Sequence, residues 1–171
     1  MTVTNDAPAT ASHASRTAPA LLAAGALVVV DQVTKWWALS ALDGGRTIDI
    51  VWTLRFSLAF NEGMAFSQAD GLGRLIALAA VVIVVALVRS LKRTTDARSR
   101  VAMTLIIGGA LGNVVDRVFR GSHWLNGAVV DFIDLQWWPV FNVADMCIVC
   151  GAVLLAWSVV FPARRIEYPR A

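Results

Sequence analysis

The sequence predicts an all-α polytopic membrane protein with four transmembrane helices. Three observations support this prediction: 57% of the 171 residues are hydrophobic, only 16% are charged, and the apolar residues are grouped into long runs. A soluble domain would carry about a quarter charged residues, and one crossing of the hydrocarbon core needs about 20 predominantly apolar residues. The net charge of +3 is modest. No basic cluster contains interleaved aromatic residues, so the sequence does not predict a nucleic-acid partner.

Four apolar runs define the predicted spans. They cover about residues 18–42, 72–88, 101–119 and 140–161. Residues 18–161 are therefore predicted to form one membrane domain. Residues 1–17 are rich in Ala, Thr and Ser and are predicted to be a disordered tail. Residues 162–171 are predicted to be a second, C-terminal tail.

The distribution of basic residues predicts the orientation of the spans. The second connection and the two chain ends carry most of them: Arg89, Lys92, Arg93, Arg98 and Arg100, with Arg16, Arg164, Arg165 and Arg170 near the termini. By the positive-inside rule, both termini and the second connection are predicted to be cytoplasmic. Connections 43–71 and 120–139 then face outward. The alternating pattern of residues 46–60 predicts a small extracytoplasmic sheet.

Polar and charged residues collect at the outer ends of the spans. They are Asp31 and Lys35 in the first span, Asn113, Asp116, Arg117 and Arg120 in the third, Asn142 and Asp145 in the fourth, and Asp131 just before it. A charged group in a membrane segment costs about 2.5–3.5 kcal/mol on insertion scales. Such residues therefore usually indicate function or paired structure.

Several of these charges have structural interpretations. Asp31 and Lys35 lie one helical turn apart and fit either an ion pair or a substrate contact. Asp116 is interpreted as a partner of Arg117 and Arg120, in an arrangement of opposite charges that braces loops.

Five further residues also have structural interpretations. Gly108 and Gly112 share a helix face, which favours close helix packing. Cys147 and Cys150 are interpreted as small packing residues one turn apart. Asp134 is interpreted as an exposed interfacial acid.

Asp131 and Asp145 are different because neither has a basic partner nearby in the sequence. If they converge to about 4 Å, two carboxylates repel by roughly 4 kcal/mol at an effective dielectric constant of 20. This energy separates their titrations by about three pKa units. One carboxyl would then stay protonated while the other is ionised at neutral pH. Such a pair can activate water and polarise a carbonyl, which is the chemistry of peptide hydrolysis.

Five short blocks occur in order along the chain. They are Asp31-Gln32-x-x-Lys35, Asn61-x-Gly63-x-Ala65-Phe66, Gly109-Ala110-x-Gly112-Asn113-x-x-Asp116-Arg117, Val130-Asp131-Phe132 and Phe141-Asn142-x-Ala144-Asp145. On a chain with four spans, this series resembles the bacterial lipoprotein signal peptidases (type II signal peptidases) over about residues 20–160. Met64 departs from the family pattern, in which a smaller residue is expected.

The resemblance implies a multi-pass aspartyl endopeptidase of the inner membrane, with its active site near the outer face. It would remove signal peptides from prolipoproteins, cutting just before a diacylglyceryl-modified cysteine. Asp131 and Asp145 match the catalytic pair of the family. Supporting or substrate-binding roles are implied for Asp31, Lys35, Asn61, Gly63, Asn113, Asp116, Arg117 and Asn142. The implied fold adds an outer β-cradle and a short outer helix, and globomycin is the implied inhibitor.

Two other classes of function remain open. A proton-coupled transporter would distribute acids across the membrane depth, whereas the inner halves of spans two and four contain none. A non-catalytic lipid-binding or lipoprotein-assembly protein would tolerate the substitution Asp145→Asn. A metal site is not predicted, because the chain has only two histidines, His13 and His123. No other cofactor is predicted.

Overall fold

The computed structural model describes residues 10–63, 72–121 and 124–161. Four long helices are present: α1 Thr10–Ala41, α2 Leu72–Leu91, α3 Ala97–Phe119 and α4 Val143–Val160. Each is long and apolar enough to cross a membrane. Three strands, β1 Thr47–Val51, β2 Leu54–Asn61 and β3 Val129–Asp134, accompany them. The prediction of a four-span membrane fold with a small sheet is therefore confirmed.

Capping residues explain where two of the spans begin. The Asp96 side chain accepts a hydrogen bond of 2.8 Å from the Ser99 N–H, so α3 begins at Ala97, before the predicted position 101. Asn142 caps α4, which begins at Val143 instead of position 140. In both cases a side chain satisfies an amide that a helix start would otherwise leave without a partner.

The first helix starts earlier than the sequence predicted. Residues 10–17 were expected to be disordered, but α1 begins at Thr10. Extending an existing helix fixes only one residue for each added hydrogen bond, so it is much easier than nucleation. Alanine, which is frequent here, is the best helix former. The other predicted tail residues, 1–9 and 162–171, lie outside the described part of the chain.

Helix α3 is the central element of the bundle, because it packs against α1, α2 and α4. Small residues allow these close contacts. A Cβ atom at Gly108 would lie 2.9 Å from the Leu27 side chain of α1. A Cβ atom at Gly109 would clash with the Ala144 carbonyl oxygen of α4. A Cβ atom at Gly112 would lie 2.6 Å from Asp31 Oδ2, so the interpretation of Gly108 and Gly112 as close-packing residues agrees with the structure.

The three strands form an antiparallel sheet in the order β1-β2-β3. The hairpin of β1 and β2 matches the predicted segment 46–60 and ends one residue beyond it, at Asn61, whereas β3 was not predicted. In the register of β2 and β3, Ala59 lies opposite Asp131. The chain leaves α1 for this sheet and passes from β3 into α4. The sheet therefore lies at the end of the bundle where α1 and α3 finish and α4 starts.

Aromatic side chains attach the sheet to α1. The Trp37 ring meets Phe56 of β2 edge-to-face at 5.2 Å between centroids, and it meets Phe132 of β3 at 6.1 Å. Such pairs contribute about 0.5–1.5 kcal/mol beyond their buried area. They fix the height of β3 relative to the helices. Between the spans, the described residues also include a short one-turn 3-10 helix, Asp43–Gly45, beside the sheet.

The glycine contacts generate a stability prediction. Replacing Gly109 with Ala should destabilise the fold by about 1–3 kcal/mol, because the new methyl group overpacks the interface of α3 and α4. Gly25→Ala is the matched control, since nothing lies within 4 Å of a Cβ atom there. Alanine is also the better helix former at that position. Thermal unfolding in detergent measures both variants, and equal melting temperatures would contradict the packing argument.

Candidate active site

One buried asparagine, Asn142, connects the two candidate catalytic aspartates. Asp131 lies in the middle of β3, and Asp145 lies in the first turn of α4. The Asn142 Nδ2 atom donates a hydrogen bond of 2.6 Å to Asp131 Oδ1. Asn142 Oδ1 accepts a bond of 2.9 Å from the Asp145 N–H. The Asp145 carboxylate in turn accepts a hydrogen bond of 3.2 Å from the Asn142 backbone N–H. This reciprocal capping box holds the two acids close together.

A second amide, Asn113 of α3, completes the framework around the acids. Its Nδ2 atom donates to Asp145 Oδ1 at 2.8 Å. Its Oδ1 atom accepts from Lys35 Nζ at 3.0 Å and from Asn142 Nδ2 at 3.2 Å. Because the oxygen is fully used by these two donors, the amino group must point towards Asp145. Asp145 thus accepts hydrogen bonds from α3 and from the backbone at the start of its own helix.

Below the two acids lies a buried cluster of charges. Lys35 Nζ lies 2.9 Å from Asp31 and 2.8 Å from Asp116, and all three side chains are at most 1% exposed. Asp31 also accepts from the Ala144 N–H at 3.0 Å, which ties α1 to the start of α4. Buried charges require such pairing and hydrogen bonding, because isolated ions are strongly disfavoured in a low dielectric.

Asp116 also joins the helix bundle to the sheet. Besides Lys35, it binds the Arg120 guanidinium at 2.8 Å. It accepts a hydrogen bond of 3.2 Å from the Val130 N–H in β3, the strand that carries Asp131. Gln32 donates to Asp116 at 3.1 Å and to Asp31 at 3.2 Å. The loop-bracing interpretation of Asp116 agrees with these contacts, but Lys35 rather than Arg117 is its second cation.

Arg117 lies on the other side of Asp131. Its Nη1 atom donates to the Gly127 carbonyl at 3.4 Å, and its positive charge attracts Asp131. A Cβ atom at Gly63 would lie 3.3 Å from Arg117 Nη2, and Gly63 has a φ of +89°, so glycine is favoured there. Asn61 accepts from the Gly63 N–H at 2.9 Å, and its side chain also hydrogen-bonds Asp131.

The environment of Asp131 shifts its titration. Burial disfavours the ionised form, and the negative charge of Asp145 disfavours it further, which together raise the pKa of Asp131 to about 6. Hydrogen bonds from Asn142 and Asn61 and the charge of Lys35 only partly oppose this shift. Asp131 is 2% exposed, whereas Asp145 is half-buried and remains accessible. The two acids therefore differ in environment.

Asp134 is not the exposed acid that the sequence indicated. It is only 5% exposed and binds Arg55 Nε at 2.7 Å. Burial opposes its ionisation, but hydrogen bonds from Arg55 and from the Gln136 N–H outweigh this effect and hold its pKa below the usual value. The partner is 79 residues away in the chain, so local sequence could not indicate it. Asp134 anchors β3 to β2 and is not part of the acidic pair.

All ten predicted site residues lie at the same end of the bundle as the sheet. Sequence reasoning missed Gln32 as a contributor, although a lone polar residue beside Asp31 in an apolar run was a signal. Cys147 and Cys150 are free thiols, the first half-buried and the second exposed. Exposure of Cys150 disagrees with a packing role. His123 and Met64 lie outside the described residues.

The described residues contain no group of three or more His, Cys, Asp or Glu side chains arranged to hold a metal ion. The site instead offers two carboxyl groups in different environments, held by amides. The fold and this site define a multi-pass membrane protein with an acidic centre suited to acid–base chemistry.

Comparison with known proteins identifies the family. The family described as Signal peptidase (SPase) II matches residues 23–161. The lipoprotein signal peptidase of Rhodococcus jostii is 42% identical over 133 residues, which cover 77% of this chain and 67% of that protein. The lipoprotein signal peptidase of Mycobacterium avium is 41% identical over 136 residues, which cover 79% of this chain and 75% of that protein. The chain belongs to the signal peptidase II family and is therefore a bacterial membrane peptidase.

Solved structures agree with this assignment. Two structures, each described as a bacterial membrane enzyme, superpose with TM-scores of 0.74 and 0.72 at 26% and 28% sequence identity. The alignments cover 90% and 85% of this chain and 95% of each solved chain. The arrangement of spans and sheet is thus shared along nearly the whole of those enzymes.

The shifted pKa of Asp131 generates a pH prediction. Because the folded pKa of about 6 exceeds the unfolded value, the folded protein binds more protons than the unfolded chain between about pH 4 and pH 6. Stability from this group is therefore present below about pH 4 and is lost as the pH rises through 6. The loss is up to about 3 kcal/mol.

Asp131→Asn should remove this loss, so the variant gains stability relative to the native protein between pH 4 and pH 8. Chemical unfolding in detergent across that range measures the difference. The exposed acid Asp43 provides a control in Asp43→Asn. If the difference in stability between Asp131→Asn and the native protein does not change with pH, the pKa of Asp131 is not raised in the folded protein.

Proposed function

We propose that this protein is an aspartyl endopeptidase that cleaves signal peptides from diacylglyceryl-modified prolipoproteins. The cut is immediately N-terminal to the lipidated cysteine. The observation that carries this proposal is the Asn142 side chain, which binds the carboxyl group of buried Asp131 and the backbone N–H of the more accessible Asp145. Membership in a peptidase family supports it further and argues against the transporter and assembly alternatives.

In the proposed mechanism, the active form carries one proton on the pair. Asp131, whose pKa is raised to about 6, holds this proton, and Asp145 acts as the base. Asp145 is the accessible member, and it lies at a helix N-terminus, where negative charge is stabilised. Its carboxylate takes a proton from a water molecule as the water oxygen attacks the scissile carbonyl carbon. Asp131 hydrogen-bonds and protonates the carbonyl oxygen. The resulting tetrahedral intermediate is uncharged at that oxygen, which lowers its free energy.

Collapse of the intermediate completes the reaction. The carbonyl re-forms and returns its proton to Asp131, while the C–N bond breaks and the cysteine nitrogen takes the proton held by Asp145. The products are the signal peptide, with a new terminal carboxyl group, and the lipoprotein, with a free amino group on its lipidated cysteine. The pair ends in its starting protonation state, so it can act again without a cofactor.

The surrounding residues have positioning roles in this proposal. Asn113 and Asn142 fix the orientation of the two carboxyl groups. Lys35 keeps the amide of Asn113 in one orientation and is itself held between Asp31 and Asp116. Asn61, Gly63 and Arg117 support the side of the site formed by β2 and the residues that follow it.

We also propose that the site faces the outer side of the bacterial cytoplasmic membrane. The basic residues of the connection between α2 and α3 lie at the opposite end of the bundle from the sheet. The positive-inside rule then assigns that connection and both termini to the cytoplasm. The lipids on the substrate cysteine hold the scissile bond at the height of the lipid headgroups, which matches a site at the outer ends of the helices.

Substitution of the acids tests the mechanism. Asp131→Asn and Asp145→Asn should each lower cleavage of a lipidated precursor by a factor of about 10³ or more, because neither amide can carry a proton between water and peptide. Asp43→Asn, an exposed acid on the same side, should retain native activity. The assay follows precursor cleavage by purified, detergent-folded protein. Cleavage at the native rate by Asp145→Asn would remove the pair from the mechanism.

The lipid requirement is tested with two precursors that differ only in modification. The protein should cleave the diacylglyceryl-modified precursor and leave the unmodified one intact, since the lipid positions the peptide at the site. Mass spectrometry should place the new amino terminus at the lipidated cysteine. Globomycin should inhibit this cleavage, whereas EDTA should not. Cleavage of both precursors at equal rates would contradict the proposed substrate class.

A further inference from the structure

An apolar groove of about 490 Å³ opens beside Asp145. Trp137, Trp138 and Phe141, from the segment between β3 and α4, line one side. Met146, Val149 and Cys150 on α4 line the other. Among the described residues that line it, Asp145 alone is charged. The groove is therefore continuous with the candidate active site and has an apolar interior.

The groove is short and open to the lipid. A helix rises about 1.5 Å per residue, so Cys150 lies roughly 7–8 Å beyond Asp145 along α4. Trp138 and Val149 in its walls are 59% and 61% exposed. The two tryptophan rings pack edge-to-face at 6.2 Å between centroids and form a stable wall.

We propose that this groove binds an acyl chain of the substrate's diacylglyceryl group. The inference rests on the proposed function, because it assumes a lipidated cysteine at the scissile bond. The acyl chains branch from the side chain of that cysteine, so they leave the site where the peptide meets Asp145. The groove begins at this carboxylate and leads into the membrane, and its lining matches a hydrocarbon chain in polarity.

The signal peptide fits the groove less well. A membrane-spanning peptide needs about 20 residues and a contact surface along the whole bilayer. A helix is also about 10–12 Å wide with its side chains. The groove covers only about one and a half turns of α4, from Asp145 to Cys150. A flexible single chain of methylene groups suits this space better.

Binding of the acyl chain in the groove would position the substrate cysteine and would add little to the affinity for the substrate. Lipid hydrocarbon is as apolar as the groove, so transfer of an acyl chain between them provides little hydrophobic driving force. Packing against the two tryptophans instead limits where the chain, and hence the cysteine, can lie. Holding a reacting group in the correct geometry lowers the barrier to reaction. The groove thereby links lipidation of the substrate to its cleavage.

Crosslinking tests where the acyl chain lies. The Asp131→Asn protein is incubated with a precursor that carries a photoreactive diazirine in one acyl chain, and the crosslinked peptides are identified by mass spectrometry. We expect crosslinks within residues 137–150, at the two walls of the groove. Crosslinks on α1 or α2, or none in this segment, would overturn the proposal. A diazirine in the signal peptide is the comparison, and its crosslinking to the groove in place of the acyl chain would also overturn it.

A groove-filling variant tests the consequence for catalysis. Val149→Trp should lower kcat/KM for a dipalmitoyl precursor by about tenfold or more, since it occupies the space of the chain. A precursor with very short acyl chains should be affected much less. Val29→Trp on α1 is the matched control, because Val29 is also 61% exposed. The kcat/KM of Val29→Trp should stay within about twofold of the native value with both precursors.

An equal loss of kcat/KM for the precursors with long and with short acyl chains would overturn the groove assignment. An unchanged kcat/KM in Val149→Trp would also overturn it. Failure of the proposed function gives a different result. In that case the native protein itself would not cleave the lipidated precursor, whatever the acyl chain length.

Discussion

The side chain of Asn142 is the contact on which the rest of the site depends. It is fully buried and binds Asp131, Asn113 and the backbone of Asp145 at once. Strand β3 is also joined to the start of α4 by backbone hydrogen bonds between Ile133 and Phe141. In the membrane, each polar group without a partner is strongly disfavoured. No buried side-chain nitrogen or oxygen in the described ranges lacks a hydrogen-bond partner. The network therefore specifies one arrangement of the two acids.

The distribution of charge separates the ion-paired acids from the proposed catalytic pair. Asp31 and Asp116 are neutralised by Lys35 and Arg120 through contacts of 2.8–2.9 Å. Asp131 and Asp145 form no ion pair shorter than 4.0 Å with the described basic residues, and their hydrogen bonds come from neutral amides. Burial and the negative charge of Asp145 therefore raise the pKa of Asp131, and the surrounding amides and Lys35 offset this shift only in part. Carboxyl groups with shifted pKa values are typical of catalytic sites.

Much of this could be predicted from the sequence, because the relevant signals are local. Run length predicts the four spans, and helical spacing puts Asn113 and Asp116 on one face of α3. Strand β3 was missed, since its pairing with β2 joins segments that are far apart in the chain. The burial of Asp134 was missed for the same reason, because only the folded sheet brings Arg55 to it. The role of Asn142 as a bridge likewise depends on where β3 lies. Contacts between distant segments are therefore the part that local patterns do not determine.

The central claim is that Asp131 and Asp145 are electrostatically coupled. The most direct test is a carbon-13 NMR titration of the Asp131 carboxyl group in the native protein and in Asp145→Asn. The account predicts a midpoint near 6 in the native protein. It predicts a lower midpoint in the variant, which remains above the usual value because Asp131 stays buried. An identical midpoint in both proteins would contradict the account, since it would mean that the two carboxyl groups do not sense each other.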